Sequence, residues 1–389
     1  MPDHTRPAPT GALPRRSPAR STRRTLSTVA VGAVLAGLAP ISAVAPASAA
    51  ASARTLTVHH VSHQAVARRG ADWMARQIRS NGGYLSAYGA PDVNDTAYAV
   101  VGLNAVGGHK RASAEALRYL RRHLASLRSA DGSDNPAALA YFILAGVSAG
   151  ADVTRFGGSK PVNDLPSRLL RTVRTTGHDA GLVGAADPTY DGAFRQGLAL
   201  AALSATAPKP HSNRRVRLAL RWIEDQQCAN GLWTAYRSDT SVACGPADPA
   251  TFSGPDTNST SLAVQGLQAY GRSPHRWKVI ASLHAVQSSD GGFPYLAAPG
   301  QSSDPNSTAL SIQAILAERR SPTAPSWRKR GATPYDALAS YQLGRRDAVA
   351  DRGAFFYGDS RTPNVLATVQ AVPAAAGRTL PVRRGRSLS

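Results

Sequence analysis

Residues Gln287–Leu316 read QSSDGGFPYLAAPGQSSDPNSTALSIQAIL. A glutamine closes one helical segment, a Gly291-Gly292-Phe293 turn follows, and a loop delivers Asp304-Pro305-Asn306-Ser307-Thr308 to a second helix. Asn306 has the side chain of an N-cap, able to accept from the free N–H groups of a first helical turn. Behind it the chain is small and apolar to Leu316, with Gln313 two turns in.

The unit recurs. Asp92-Val93-Asn94 precedes Thr96 and Gly102-Leu103, Asp256-Thr257-Asn258 precedes Thr260 and Gln265-Gly266-Leu267, and Asp187-Pro188-Thr189 precedes Gln196-Gly197-Leu198. Weaker copies follow Asp131-Gly132-Ser133 and end in Gln370-Ala371-Val372. The first-helix ends repeat too, as Gln77…Gly82-Gly83-Tyr84, Gln227…Gly231-Leu232-Trp233 and Gln342…Gly353-Ala354-Phe355. Six helix pairs result, between Val61 and Ala376. Repeats of this size bury a continuous core only by stacking, and six helical hairpins can close into a ring. The expected fold is therefore all-α, an α/α toroid.

Polarity assigns the two rings. The first helices are amphipathic, with Ala71, Met74, Ala75 and Ile78 on one face and arginines opposite. The second helices (Tyr98–Val106, Ala137–Val147, Leu198–Leu203) are apolar nearly all round, and a helix without a polar face belongs inside.

The ends are of another kind. Residues 1–49 carry Arg15, Arg16, Arg20, Arg23 and Arg24, then an apolar run Val29–Ala43 too short to span a bilayer, then Ala47-Ser48-Ala49. This is the layout of a secretory signal peptide. Thr22-Arg23-Arg24-Thr25-Leu26 resembles a twin-arginine signal. Residues 50–60 read as a flexible arm and 377–389 as a basic disordered tail. No cysteine adjoins the cleavage site and no apolar tail follows Arg383-Arg384, so the mature protein is expected free, secreted and extracellular. In that setting Cys228 and Cys244 are expected to form a disulfide closing the long loop of the fourth pair. Zinc is not expected, because no histidine lies at ligand spacing from either cysteine.

The formal charge is +21, and about +12 remains once leader and tail are set aside. Much of it is arginine on the first helices: Arg68, Arg69, Arg76 and Arg79, then Arg118, Arg121 and Arg122, then Arg214, Arg215, Arg217 and Arg221. It makes a solvated basic wall, or one that attracts anionic cell-wall polymers or a membrane surface. No nucleic-acid-binding motif accompanies it, so no such partner is expected.

The repeats resemble those of the terpene cyclase and protein prenyltransferase superfamily. Gln227-x-x-x-Gly231-x-Trp233 is similar to its QW motif, and Gln287-x-x-x-Gly291-x-Phe293 is a relaxed version. The resemblance covers most of the mature chain and implies the toroid. It is weak for chemistry, since the superfamily has catalytic and non-catalytic members. Cobalamin carriers use a similar barrel with an added β domain, which this sequence lacks.

Asp92-Val93-Asn94-Asp95-Thr96-Ala97 resembles the DxDDTA motif of class II cyclases, whose middle aspartate is the proton donor. Asn94 stands at that position, and an amide cannot supply the proton. Asp92 and Asp95 remain as candidate catalytic residues, with Asp95 as a substitute acid. Helix capping explains the same residues, because Asp256-x-Asn258 and Asp304-x-Asn306 share the arrangement. The prenyltransferase's zinc would need an Asp-x-Cys pair, which is absent. A glycan-active enzyme would need paired carboxylates, for which Asp187 with Asp191, or Asp92 with Asp95, are the candidates.

If all second helices run the same way, Asp92, Asp187, Asp256 and Asp304 ring one mouth. Gln196, Gln265, Gln313 and Gln370 form a collar two turns deeper, and Tyr84, Trp233, Phe293 and Phe355 lie on the same side. Acids, amides and aromatics around a concavity suit a bulky small-molecule or glycan ligand. The alternative is that the aromatics only staple neighbouring repeats. No cofactor is implied. The expectation is an exported, non-catalytic, ligand-binding toroid, with a cyclase-like or glycan-active enzyme as the alternative.

Overall fold

The computed structural model describes residues 62–185, 192–206 and 213–383. The expected leader and arm, and the acid pair Asp187 and Asp191, lie outside the described residues.

Twelve α-helices are described: α1 (His63–Ser80), α2 (Val93–Val106), α3 (Lys110–Arg122), α4 (Pro136–Ala149), α5 (Leu165–Arg171), α6 (Gly192–Ser204), α7 (Arg214–Asp225), α8 (Thr257–Gln268), α9 (Arg276–Val286), α10 (Pro305–Ala317), α11 (Pro334–Ser340) and α12 (Val365–Ala375). The even-numbered helices pack side by side in chain order, and α12 returns to α2 to close the ring. Outside them, α1 touches α12 and α2, α3 touches α2 and α4, α5 touches α4 and α6, and α11 touches α10 and α12. This is the α/α toroid. The division follows from polarity. On α7, Val216, Ala219, Leu220, Trp222 and Ile223 are buried, while Arg214, Arg217 and Arg221 face solvent. On α10 nearly every residue is buried.

The recurrent residues have recurrent jobs. Gln287 Nε2 donates to Gly291 O and to Trp327 O of the next repeat, both at 2.8 Å. Gln227 bridges Gly231 O and Pro274 O in the same manner, and Gln342 bridges Gly353 O and Val66 O. That last bond ties the sixth repeat to the first. Gly231 and Gly291 hold φ of 90° and 92°, a region that side chains avoid, and so allow the turn. The threonine of the second helix then fixes the turn from inside: Thr260, Thr308 and Thr368 accept from the backbone N–H of Trp233, Phe293 and Phe355 at 2.9–3.0 Å.

The caps sit two residues earlier than the sequence suggests. Asp304, not Asn306, caps α10 by accepting from Ser307 N at 2.8 Å, and Asp92 and Asp256 do the same for α2 and α8. The helices therefore start at Val93, Thr257 and Pro305. Proline is favoured just inside a helix start, because its missing N–H would be unpaired there anyway.

Short hairpins interrupt the all-helical pattern at two turns. β1 (Leu85–Ala87) pairs with β2 (Ala90–Asp92), and β3 (Phe355–Tyr357) with β4 (Ser360–Asn364). In both, the buried turn residue lies opposite the cap residue, Leu85 with Asp92 and Phe355 with Asn364, and Trp233 bridges Asp256 likewise. The first repeat's counterpart of Trp233 is thus Leu85, not Tyr84, and its N–H bonds Thr96 Oγ1 at 2.9 Å.

The expected disordered tail is ordered as far as it is described. Residues 377–383 run into the ring at the C-terminal ends of the inner helices, burying Leu380 and Val382. The arginine-rich composition of this stretch concealed two apolar anchors. Cys228 and Cys244 form a disulfide, with Cα atoms 5.6 Å apart.

Candidate functional site at the N-terminal mouth of the ring

Helix periodicity states what faces the axis of the ring. Thr96, Thr260, Thr308 and Thr368 point outward to their turns. A residue two positions earlier lies about 200° round the helix, and so points inward. These residues are Asn94, Asn258, Asn306 and Leu366. Asn94, Asn258 and Leu366 are partly exposed on helices otherwise buried, as an open mouth requires. The side-chain oxygens of Asn94, Asn258 and Asn306 are buried, and none has a hydrogen-bond partner among the described residues. Gln370, one turn further in on α12, carries a fourth such oxygen.

Below this layer Tyr98, Leu262 and Leu310 face the axis one turn deeper and are 3%, 2% and 0% exposed, while Tyr141, at the equivalent place on α4, stays partly exposed. The Tyr98 hydroxyl reaches across to Gln313 Oε1 at 3.4 Å. Burial lifts that phenol well above its usual range, so it stays a neutral donor. From the other side the chain end binds the inner helices. Gln313 Nε2 donates to Arg378 O at 3.0 Å, and Gln265 Oε1 accepts from Leu380 N at 3.0 Å and from Thr379 Oγ1 at 3.1 Å. The site is a shallow bowl.

The expected collar of glutamines is therefore divided. Gln265 and Gln313 hold the chain end. Gln196 is not in register with them and plays the threonine's part: its Oε1 accepts from Val183 N at 2.9 Å, and its Nε2 donates to Gly181 O and Ala219 O. Trp233 and Phe293 are wholly buried, and Trp233 Nε1 donates to Ile223 O, so both staple repeats and leave no surface for a ligand. Tyr84 packs on Tyr119, with ring centroids 5.0 Å apart.

The described aspartates differ in environment. Burial, reinforced by the neighbouring Asp92, pushes the Asp95 carboxyl up to about 7. Burial pushes Asp256 up to about 6 against the opposing pull of its cap bonds, and it raises Asp304 for the same reason. A carboxyl near 7 can hold or release a proton at neutral pH. Among the described residues, no group of three His, Cys, Asp or Glu side chains stands together as a metal site.

Composition and spacing did not single out the loops that rise around the mouth. Phe252, in the disulfide-closed repeat, stacks on Tyr295 with centroids 5.2 Å apart and planes at 9°. With Tyr341, Tyr357, Asp304 and Asp359 they line a cleft of about 450 Å³ at the start of α10. The signal was present as isolated aromatics in Gly/Pro/Ser-rich loops, but only the fold brings them together.

No family model matches the chain, and no curated protein matches it. Solved structures do resemble it. An unsaturated glucuronyl hydrolase from Bacillus sp., responsible for degrading glycosaminoglycan, superposes with a TM-score of 0.57 at 14% identity, over 83% of this chain and 100% of that one. A type II terpene cyclase from Scytonema gives 0.51 at 14% identity, over 81% and 97%. The Candida albicans protein geranylgeranyltransferase-I gives 0.51 at 10% identity, over 79% and 89%. At these identities the likeness is one of fold: the chain carries the α/α toroid that these hydrolase, cyclase and prenyltransferase structures share.

Proposed function

We propose that this is an exported binding protein that takes a hydroxyl-rich, glycan-like ligand at the N-terminal mouth of its toroid. The observation that carries the reading is the set of amide oxygens of Asn94, Asn258, Asn306 and Gln370, all buried and unpaired by the protein. An unpaired buried acceptor costs about 1–3 kcal/mol, and amides that turn toward the mouth would offer these oxygens to ligand hydroxyls. The burial of Tyr98, Leu262 and Leu310 one turn below argues against a folded polyprenyl chain, which needs a deep apolar cavity. Export is supported by the leader-like residues 1–49 and by the disulfide, a bond that persists in oxidising compartments. The test is calorimetric titration of the purified protein with neutral oligosaccharides and with a C20 isoprenoid alcohol. Saccharide binding that weakens in Asn258→Leu and Asn306→Leu supports the reading, and binding of the isoprenoid alone refutes it.

One observation favours a second reading, in which the mouth is catalytic. Asp95 is raised to about 7 beside Asp92, the condition of a carboxylic acid that donates a proton near neutrality. Turnover of a bound saccharide that disappears in Asp95→Asn, while binding survives, would establish it. Unchanged turnover in that variant would remove Asp95 from the chemistry.

A further inference from the structure

Phe252 stands in an unfavourable conformation, and its one ring contact is the stack on Tyr295. Its φ is 51°, where a bulky side chain is an outlier, and yet 67% of it is exposed to solvent. Folding would be served at least as well by glycine there. An aromatic group held outward against local preference is a group kept for contact with something else. Its ring stacks on the ring of Tyr295, which braces it and leaves its outer side as an apolar platform on one wall of the cleft. Tyr357 lies on the opposite hairpin and is 48% exposed. Between them the cleft carries polar edges, including Gln301, Ser302 and Asp359, and Asp359 makes no hydrogen bond with the other described residues.

We propose that this cleft is a saccharide-binding subsite, and that the saccharide is a neutral hexose or N-acetylhexosamine chain rather than a polyuronate. The inference rests on the reading of the mouth as a site for hydroxylated ligands, and it names the class. Sugar rings present a C–H face to aromatic platforms and hydroxyls at their edges, which matches flat rings flanked by carboxylate and amide acceptors. Charge selects among sugars. Among the described residues the cleft is lined by Asp304 and Asp359 and by no lysine, arginine or histidine, so a carboxylated or sulfated chain would find no cation there to pair with. The arginines of the outer helices lie on another surface of the ring.

The experiment is calorimetric titration of the purified protein and its variants with three probes. These are a β-linked glucose hexamer, an N-acetylglucosamine hexamer and a galacturonate hexamer. Binding of one neutral probe is expected, with the galacturonate at least tenfold weaker. Phe252→Gly is expected to lose tenfold or more in affinity while its melting temperature stays level or rises, because the substitution relieves the backbone. Tyr357→Ala is expected to weaken binding similarly without loss of fold. Preference for the galacturonate probe would overturn the class. Neutral-probe binding lost in Asn258→Leu but intact in Phe252→Gly would overturn the cleft and leave the mouth reading standing. Absence of binding by all three would overturn both. A proline-rich peptide that binds in place of the sugars, with the same Phe252 and Tyr357 dependence, would show that the aromatics serve a different partner and overturn the proposal.

Discussion

The backbone N–H of Leu380 donates to Oε1 of Gln265 at 3.0 Å, so the end of the described chain is tied to an inner helix more than a hundred residues away. Leu380 is 3% exposed. Truncating such a side chain removes its transfer free energy and leaves a void. Leu380→Ala is expected to lower stability by about 2–5 kcal/mol, read as a shift in urea midpoint at constant slope. A shift within error would mean that the segment lies on the ring without supporting it.

The threonine bond to the turn predicts a cost confined to one atom. Thr308→Val preserves shape but leaves the N–H of Phe293 buried without its acceptor. A loss of about 1–3 kcal/mol is expected in chemical denaturation. Thr308→Ser, which keeps the hydroxyl, should recover part of it.

Carboxyl titration gives a pH prediction with a definite sign. Asp95 at about 7 and Asp256 at about 6 both lie above the ordinary aspartate value, because the fold disfavours their charged forms. The unfolded chain therefore gives up these protons first as pH rises. Their contribution to stability is fully present below the unfolded value near 4 and is lost as pH climbs through 6 and 7. The exposed carboxylates Asp131, Asp152 and Asp239, held low by hydroxyl and backbone donors, titrate below that window and leave it unchanged. Stability measured from pH 4 to 8 should fall, and Asp95→Asn should flatten the upper part of the fall. An unaltered profile would mean that Asp95 titrates as an ordinary surface acid.

The disulfide predicts a reductant effect. The bond closes a loop sixteen residues long between Cys228 and Cys244. Chain-entropy arguments give about 3 kcal/mol for a loop of that length. Replacing both cysteines by serine should lower the melting temperature and abolish any further effect of dithiothreitol. Phe252 and the cleft residues lie outside that loop, so saccharide affinity should fall no more than the loss of stability explains.

The ring itself was legible in the sequence because each repeat writes the same physics: an amphipathic helix, a Gln and Gly at a turn, and an apolar helix behind a cap. The deeper assignments were not. Counting nine residues from each Asp groups Gln196 with Gln265 and Gln313, but Gln196 is out of register with them and bonds the turn as Thr260 does. The aromatic of the motif suits either a ligand contact or a staple between repeats, and burial makes Trp233 and Phe293 staples. Asn94 and its equivalents looked like caps. With Asp92, Asp256 and Asp304 capping, the asparagines are released to the mouth. Phe252 and Tyr357 carry no spacing signal at all, because they stand far apart in the chain and only the side-by-side packing of three successive repeats sets them on one cleft.

The most direct measurement is native mass spectrometry of the purified protein offered an equimolar mixture of a neutral hexasaccharide and a C20 isoprenoid alcohol. A one-to-one saccharide complex, lost in Asn258→Leu, is the expected result for a ring with a polar mouth. Retention of the isoprenoid, with the saccharide left free, would mean that the ring opens to an apolar cavity, and would contradict the binding site described here.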